Sequence, residues 1–321
     1  MYIHTFLRMA RNPYFWSPLR LKRVVSILGN FPRQIEILRI LADPAFQGLV
    51  RSNPVLPFKY LSNRYLVRGL TSRQRASCFI HHYRQLGLRF SPSFLHRMAE
   101  EEIALLQRQN GDNTYVVSIG FPSGVPIWEG EILLHLLVNG VEVYALQFTI
   151  VPGWFVNSAE ESVLMVLRLQ GVKGGYDQIY SATKEFRDVA PPALLIAALQ
   201  GIANAWGIRR MAGVTARSQY SYTENCAEVL RGAYDDFFLE LGAEQISPDF
   251  FLTSLPLPEK PIERITRCHR PRAKRKRVFK ASIADEVRLN LLELCPASCE
   301  PARAAEQGAQ VTTQPDACSA A

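Results

Sequence analysis

No apolar run in this 321-residue chain reaches the roughly 18 to 20 positions a membrane-spanning helix needs. The first eleven residues lack the apolar core of a secretory signal, because His4, Arg8 and Arg11 interrupt them. The expected compartment is the cytoplasm, with at most peripheral attachment to an inner membrane. Cysteine is sparse: Cys78, Cys226, Cys268, Cys295, Cys299 and Cys318 form no CxxC pair. Reduced thiols are expected, not a zinc site or a disulfide framework. Histidines are scattered, and the adjacent His81-His82 points to two faces of a helix, so no metal site follows. The chain has no GxGxxG fingerprint, no GxxxxGK(S/T) loop and no internal repeat.

Charge, by contrast, is abundant and uneven. Residues 1–110 carry 17 Lys and Arg against 5 Asp and Glu; residues 111–260 carry 9 against 17; residues 261–280 carry 9 against 1. An acidic body is thus flanked by two basic segments. Fifteen of the first 17 cations are Arg, the residue suited to bidentate phosphate or carboxylate contacts. Two readings stay open. The basic segments meet an anionic partner, either an anionic membrane surface or an acidic carrier protein. Alternatively, they pack against the acidic body. Specific nucleic-acid binding is not expected.

The pattern predicts a basic helical region over 1–110. Asp43-Pro44, Thr71-x-x-Gln74 and Ser91-Pro92 are helix starts. The last of these helices carries Phe94, Leu95, Met98, Leu105 and Leu106, and Asn110-Gly111 closes it. Aromatic residues such as Tyr14, Phe15, Trp16, Phe58, Tyr60 and Tyr65 read as core. An α/β body is expected over 111–260. In it, Tyr115–Phe121 is a strand, and Asn139-Gly140 joins two strands buried on both faces. Val163–Leu169 is the next strand, followed by a polar helix over Tyr176–Phe186. Pro191-Pro192 opens an apolar helix that Gly207 ends. A strand over Arg210–Thr215, a short helix over Tyr234–Leu241 and a last strand over Phe250–Leu255 follow. Residues 261–295 read as a basic amphipathic helix, with Phe279, Ile283, Val287 and Leu291 on one stripe. The tail over 296–321 is too poor in apolar residues to order itself.

Two groups of residues carry candidate chemistry. Gln170, Gly171, Lys173, Gly174 and Gly175 form a loop after a strand, where backbone N–H groups can approach a phosphate. Thr183 and Lys184 on the following helix can clamp an anion; a plain connection and a solvated Lys are the competing readings. Tyr234, in the segment YDDFFLELGA, is a candidate general acid. Glu129, Glu131 and His135, on or before the hairpin, are candidate bases.

This order of elements resembles the GCN5-related acyltransferase fold. The resemblance implies a mixed, mostly antiparallel sheet flanked by helices, with acyl-CoA or an acyl carrier protein as donor. It implies Tyr234 as the residue that protonates the departing thiolate. The loop glycines stand out of that fold's usual register, and an extra helix over Tyr176–Phe186 intervenes. The chain is also similar to the VirK/YbjX family of bacterial proteins. The residues that carry this are Gly130-Glu131-Ile132-Leu133, Leu169-Gln170-Gly171, Ala182-Thr183-Lys184, Pro192-x-Leu194-Leu195, Gly207-Ile208, Gly213-Val214 and YDDFFLELGA. The N-terminal Phe58-Lys59-Tyr60-Leu61 and Leu70-Thr71-x-Arg73-x-Arg75 also fit. That resemblance implies a role in cell-envelope integrity, virulence or antimicrobial-peptide resistance. It assigns no catalytic residues.

Overall fold

Caps set the helices of the first third. Asp43 Oδ1 accepts from Ala45 N at 2.9 Å and starts a 3-10 turn that leads into α2 (Gln47–Ser52), which follows α1 (Phe31–Leu41). Thr71 and Gln74 form a reciprocal capping box at the head of α3 (Ser72–Arg89). Ser91 caps α4 (Pro92–Glu100). These come from a computed structural model that describes residues 27, 29–122 and 129–295. The expectations for Tyr14, Phe15 and Trp16, and for the tail over 296–321, lie outside the described residues.

The second half of one expected helix is a strand. The helix foreseen from Ser91 to Asn110 stops at Glu100, and Ile103–Asn110 is β1. Asn110-Gly111 is not a helix end but the turn to β2 (Asn113–Gly120), with Gly111 at φ +56°. A β-bulge between Ala104 and Leu106 explains the misleading pattern. An extra residue in one strand breaks the alternation of faces, so Leu105 and Leu106 are both buried, as neighbours on a buried helix face would be.

The remaining strands form the expected mixed sheet. β3 (Ile132–Val138) and β4 (Val141–Pro152) are joined by Asn139-Gly140, with φ of +53° and +77°. Two positive φ values are what a type I′ hairpin turn demands. β5 (Ser162–Gly171) follows, and α5 (Tyr176–Glu185) and α6 (Pro191–Trp206) lead to β6 (Arg210–Val214). Then come α7 (Ala227–Leu230), a π-helical segment Arg231–Asp236 and α8 (Phe237–Glu240). β7 (Glu244–Gln245), β8 (Phe250–Ser254) and the long helix α9 (Arg270–Leu294) complete the described chain. The sheet order is β1-β2-β3-β4-β5-β6-β8-β7. Every pairing is antiparallel except β5 with β6. The fold is therefore α/β, an eight-stranded mixed sheet flanked by helices.

Helix packing settles the fate of the C-terminal stripe. Ile283, Val287 and Leu291 are buried, and α9 lies along α6. The contact is close because Gly201 has no side chain: a Cβ there would lie 2.3 Å from the Ala284 carbonyl oxygen. Two effects oppose in Gly201→Ala. Helix propensity favours Ala by about 1 kcal/mol, while overpacking against backbone costs about 1–3 kcal/mol. The obstacle is main chain and cannot swing aside, so a net loss of stability is expected on urea denaturation. A stabilised variant would mean that α9 does not sit on α6.

Candidate functional site

The single parallel pair creates the site. β5 and β6 are in register only over Leu164–Met211, Met165–Ala212 and Val166–Gly213. β5 runs on to Gly171, paired with β4 alone. The edge from Leu167 to Gly171 therefore faces a notch where the neighbouring strand has left, and buried Tyr234 fills it. The N–H of Leu169 points into it and donates to the hydroxyl of Tyr234 at 3.4 Å.

Tyr234 is placed by three local features. It sits in the π-helical segment, a distortion frequent at functional sites. Phe238, just beyond, lies flat on β6 over Gly213, where a Cβ would come within 2.4 Å of the ring. Asp235 Oδ1 accepts from Ala216 N at 2.7 Å and ties the segment to the end of β6. Burial pushes the Tyr234 phenol up to about 12; the Leu169 N–H and Arg168 pull it down, and Glu129 and Tyr144 push it up.

Glu129 and Arg168 adjoin this notch. They pair at 3.6 Å, with the Glu129 side chain 17% exposed. Burial raises the Glu129 carboxyl above its ordinary value, and Arg168 partly offsets this. Arg168 also donates to Gln170 Oε1 at 2.9 Å. The register Leu133–Gln147–Arg168 puts these groups on one face of the sheet. Gln147 Oε1 is buried there without a hydrogen-bond partner.

His135 lies on the same face, since Ser118, His135, Ala145 and Gln170 are successive cross-strand neighbours. Its Nδ1 is 2.7 Å from Glu102 Oε1 and its Nε2 is 3.4 Å from Glu142 Oε2. Ser118 donates to the other Glu102 oxygen at 2.6 Å. The hydrogen bond from His135 holds the Glu102 carboxyl below its usual value, against burial, which raises it.

The other candidates separate from this group. Glu131 is buried in an ion pair: Lys59 Nζ is 3.1 Å from its Oε2 and Tyr83 donates to the same oxygen at 2.8 Å. Gly171 is packed, with a Cβ there meeting the Tyr144 ring at 3.0 Å and Ile179 at 3.3 Å. Lys173 and Gly174 are exposed, and Gly174 has open space and φ +84°. The Thr183 hydroxyl donates back to Ile179 O at 2.7 Å, and the Lys184 ammonium lies 5.3 Å from the Tyr180 ring centre. Neither contact engages the glycine loop. Asp177 stands in the first turn of α5, where a carboxylate competes with any anion for the helix N-terminus.

Sequence reasoning missed Arg168, Glu102 and Glu142. A signal for Arg168 exists: Arg168 and Gln170 alternate as polar residues at the end of an otherwise apolar strand, marking where one face leaves the core. Among the described residues no group of three His, Cys, Asp or Glu side chains is placed to hold a metal ion, and no helix is long and apolar enough to cross a membrane. No curated protein and no solved structure matches the chain. A family model does match, over residues 19–288. The chain belongs to that family, described as a protein of unknown function (DUF535) and equivalent to the VirK/YbjX family.

Proposed function

We propose that the notch between β5 and β6 is an acyl-transfer site that takes a thioester donor, an acyl-CoA or an acyl carrier protein. The observation that carries this is the divergence of the one parallel pair, which frees the Leu169 N–H beside the Tyr234 hydroxyl. An extended donor arm enters the notch against the β5 edge. The Leu169 N–H then turns from Tyr234 to the thioester carbonyl, where negative charge develops. Glu129, with its raised pKa, takes the proton from the attacking amine or hydroxyl. His135, oriented by Glu102, is the second candidate base on that face. The acyl C–S bond breaks as the new acyl C–N or C–O bond forms, and the sulfur leaves as thiolate.

Magnitudes refine the part of Tyr234. Its phenol at about 12 is a weaker acid than a thiol of about 8.5. Full proton transfer to the thiolate is therefore uphill. The hydroxyl instead donates a hydrogen bond to the developing negative sulfur, and solvent completes the protonation. Open Gly174 and exposed Lys173 are left as the place where a donor's phosphates meet the protein. The acceptor is an envelope lipid or protein, through which the chain supports envelope integrity, virulence or antimicrobial-peptide resistance.

The decisive test is release of free thiol from acyl-CoA and acyl carrier protein thioesters of several chain lengths, with titration calorimetry of the same donors. Binding with slow acceptor-independent thiol release is expected. No binding of any thioester would overturn the reading and favour a non-enzymatic peripheral factor that holds anionic lipid or an acidic protein. The exposed cations Arg272, Lys274 and Arg275 at the start of α9 support that second reading. The occupation of the α9 apolar stripe by α6 removes its insertion mechanism.

A further inference from the structure

We propose that the groove between α6 and α9 binds a single-chain amphiphile with an anionic head. This site is separate from the acyl-transfer notch and does not depend on that reading. The two helices touch at Gly201 and Ala284, and the groove opens on the N-terminal side of that contact on both. Its volume is about 510 Å³, inside the roughly 300–1,000 Å³ usual for small-molecule sites. The space exists because small residues line it: Ala193 and Ala197 on α6, Ala281 on α9. Ile196, Leu241 and Leu257 make the remaining wall apolar. Gln200 Oε1 accepts from Leu257 N at 3.0 Å and fixes that wall.

The rim carries the opposite character. Lys260, Arg277 and Lys280 border the groove with Glu240 and Glu259. Arg277 is committed, to Glu259 at 3.3 Å and to the Lys260 carbonyl. Lys260 and Lys280 form no ion pair among the described residues. Lys276, one turn before Lys280, adds positive potential, and burial lowers its pKa, with Arg272 and Lys280 lowering it further. Two free ammonium groups against the one unpaired carboxylate of Glu240 leave the rim net positive above an apolar trough, which fits a carboxylate or phosphate head with its hydrocarbon chain laid along α6. The charge fixes orientation and the chain supplies the burial. Lysine stems can line such a trough while their heads stay at its mouth.

The test uses the full chain, titrated by calorimetry with laurate, dodecyl phosphate and dodecyltrimethylammonium below their micellar concentrations. One anionic amphiphile per chain is expected to bind, and the cationic one is not. Lys280→Glu should weaken binding by about tenfold or more, the loss of one charge-assisted contact. Ala281→Trp should fill the trough and abolish it. Both positions are at the surface, and thermal melts of each variant check the fold. Lys274→Glu makes the same charge change on α9 away from the groove and should leave binding unaltered. Binding of laurate alone assigns a carboxylate head, and of dodecyl phosphate alone a phosphate head. The proposal falls if neither anion binds, if Ala281→Trp binds normally, or if Lys274→Glu weakens binding as much as Lys280→Glu. It also falls if inorganic phosphate binds as tightly as dodecyl phosphate.

Discussion

Replacing Lys59 with methionine is expected to cost the fold about 3–5 kcal/mol, a large part of the 5–15 kcal/mol that holds a domain together. Lys59 is only 5% exposed. Its ammonium donates to the Gly130 carbonyl at 2.9 Å and to Glu131 Oε2 at 3.1 Å, and it lies 5.5 Å from the Tyr65 ring centre. Without it, the Glu131 carboxylate remains buried with the Tyr83 hydroxyl as its donor, and its other oxygen already has no partner. The penalty comes from the stranded charge and not from a lost attraction. The double variant Lys59→Met with Glu131→Leu should therefore recover most of the loss. A double-mutant cycle in urea checks both statements. Equal destabilisation of the single and double variants would show that Lys59 matters only through packing. Tyr65 and Tyr83 give the same cycle a spectroscopic marker. Burial, then Glu131, raises both phenols well above their ordinary value, so they should stay neutral in alkali while the fold persists.

The pair also reaches the candidate site. Lys59 holds the carbonyl of Gly130, and a Cβ on Gly130 would lie 2.7 Å from Gln147 Cβ. The backbone is thus pinned between Glu129, which turns to Arg168, and Glu131, which turns inward. The sequence offers the two carboxylates as equals, two positions apart. What separates them is a lysine 72 positions from Glu131, and no local pattern reports a partner at that distance. The features that were legible are those with local causes. The Thr71 capping box, the Asn139-Gly140 turn and Gly207, at φ +67° after α6, follow from backbone chemistry within a few residues. β1 was missed because its bulge removes the period that marks a strand. The α9 stripe was read correctly as an apolar face, but its partner was not legible. Membrane and helix both satisfy an apolar face, and only the contact with Gly201 decides between them. Tyr234 and Glu129 are candidates from their type and place in the sequence, and the structure sets both near Arg168. Arg168, which ties Glu129 to Gln170, carries only the signal of its alternation with Gln170 at the polar end of β5.

Tyr234→Phe is expected to lower thioester turnover by about 10² to 10³, the usual loss on removing one donor aimed at developing charge. The fall should appear in kcat with little change in KM, because the hydroxyl meets the sulfur only as negative charge forms. The phenol stays neutral to about pH 12, so it contributes no ionisation through the neutral range in either protein. On the proposed mechanism the rising limb of the wild-type pH–rate profile is expected to belong to Glu129, whose carboxyl burial raises above its ordinary value. That limb should persist in Tyr234→Phe and vanish in Glu129→Gln. If it survives in Glu129→Gln and vanishes in His135→Gln, the base is His135. Stability must be measured beside activity, since the Leu169 N–H loses its acceptor in the Phe variant. An unsatisfied buried donor costs about 1–3 kcal/mol, and a 3.4 Å contact places this one at the low end. A Tyr234→Phe protein that melts near wild type and turns over a thioester at the wild-type rate would leave Tyr234 as a packing residue. The notch would then need another group to meet the leaving sulfur.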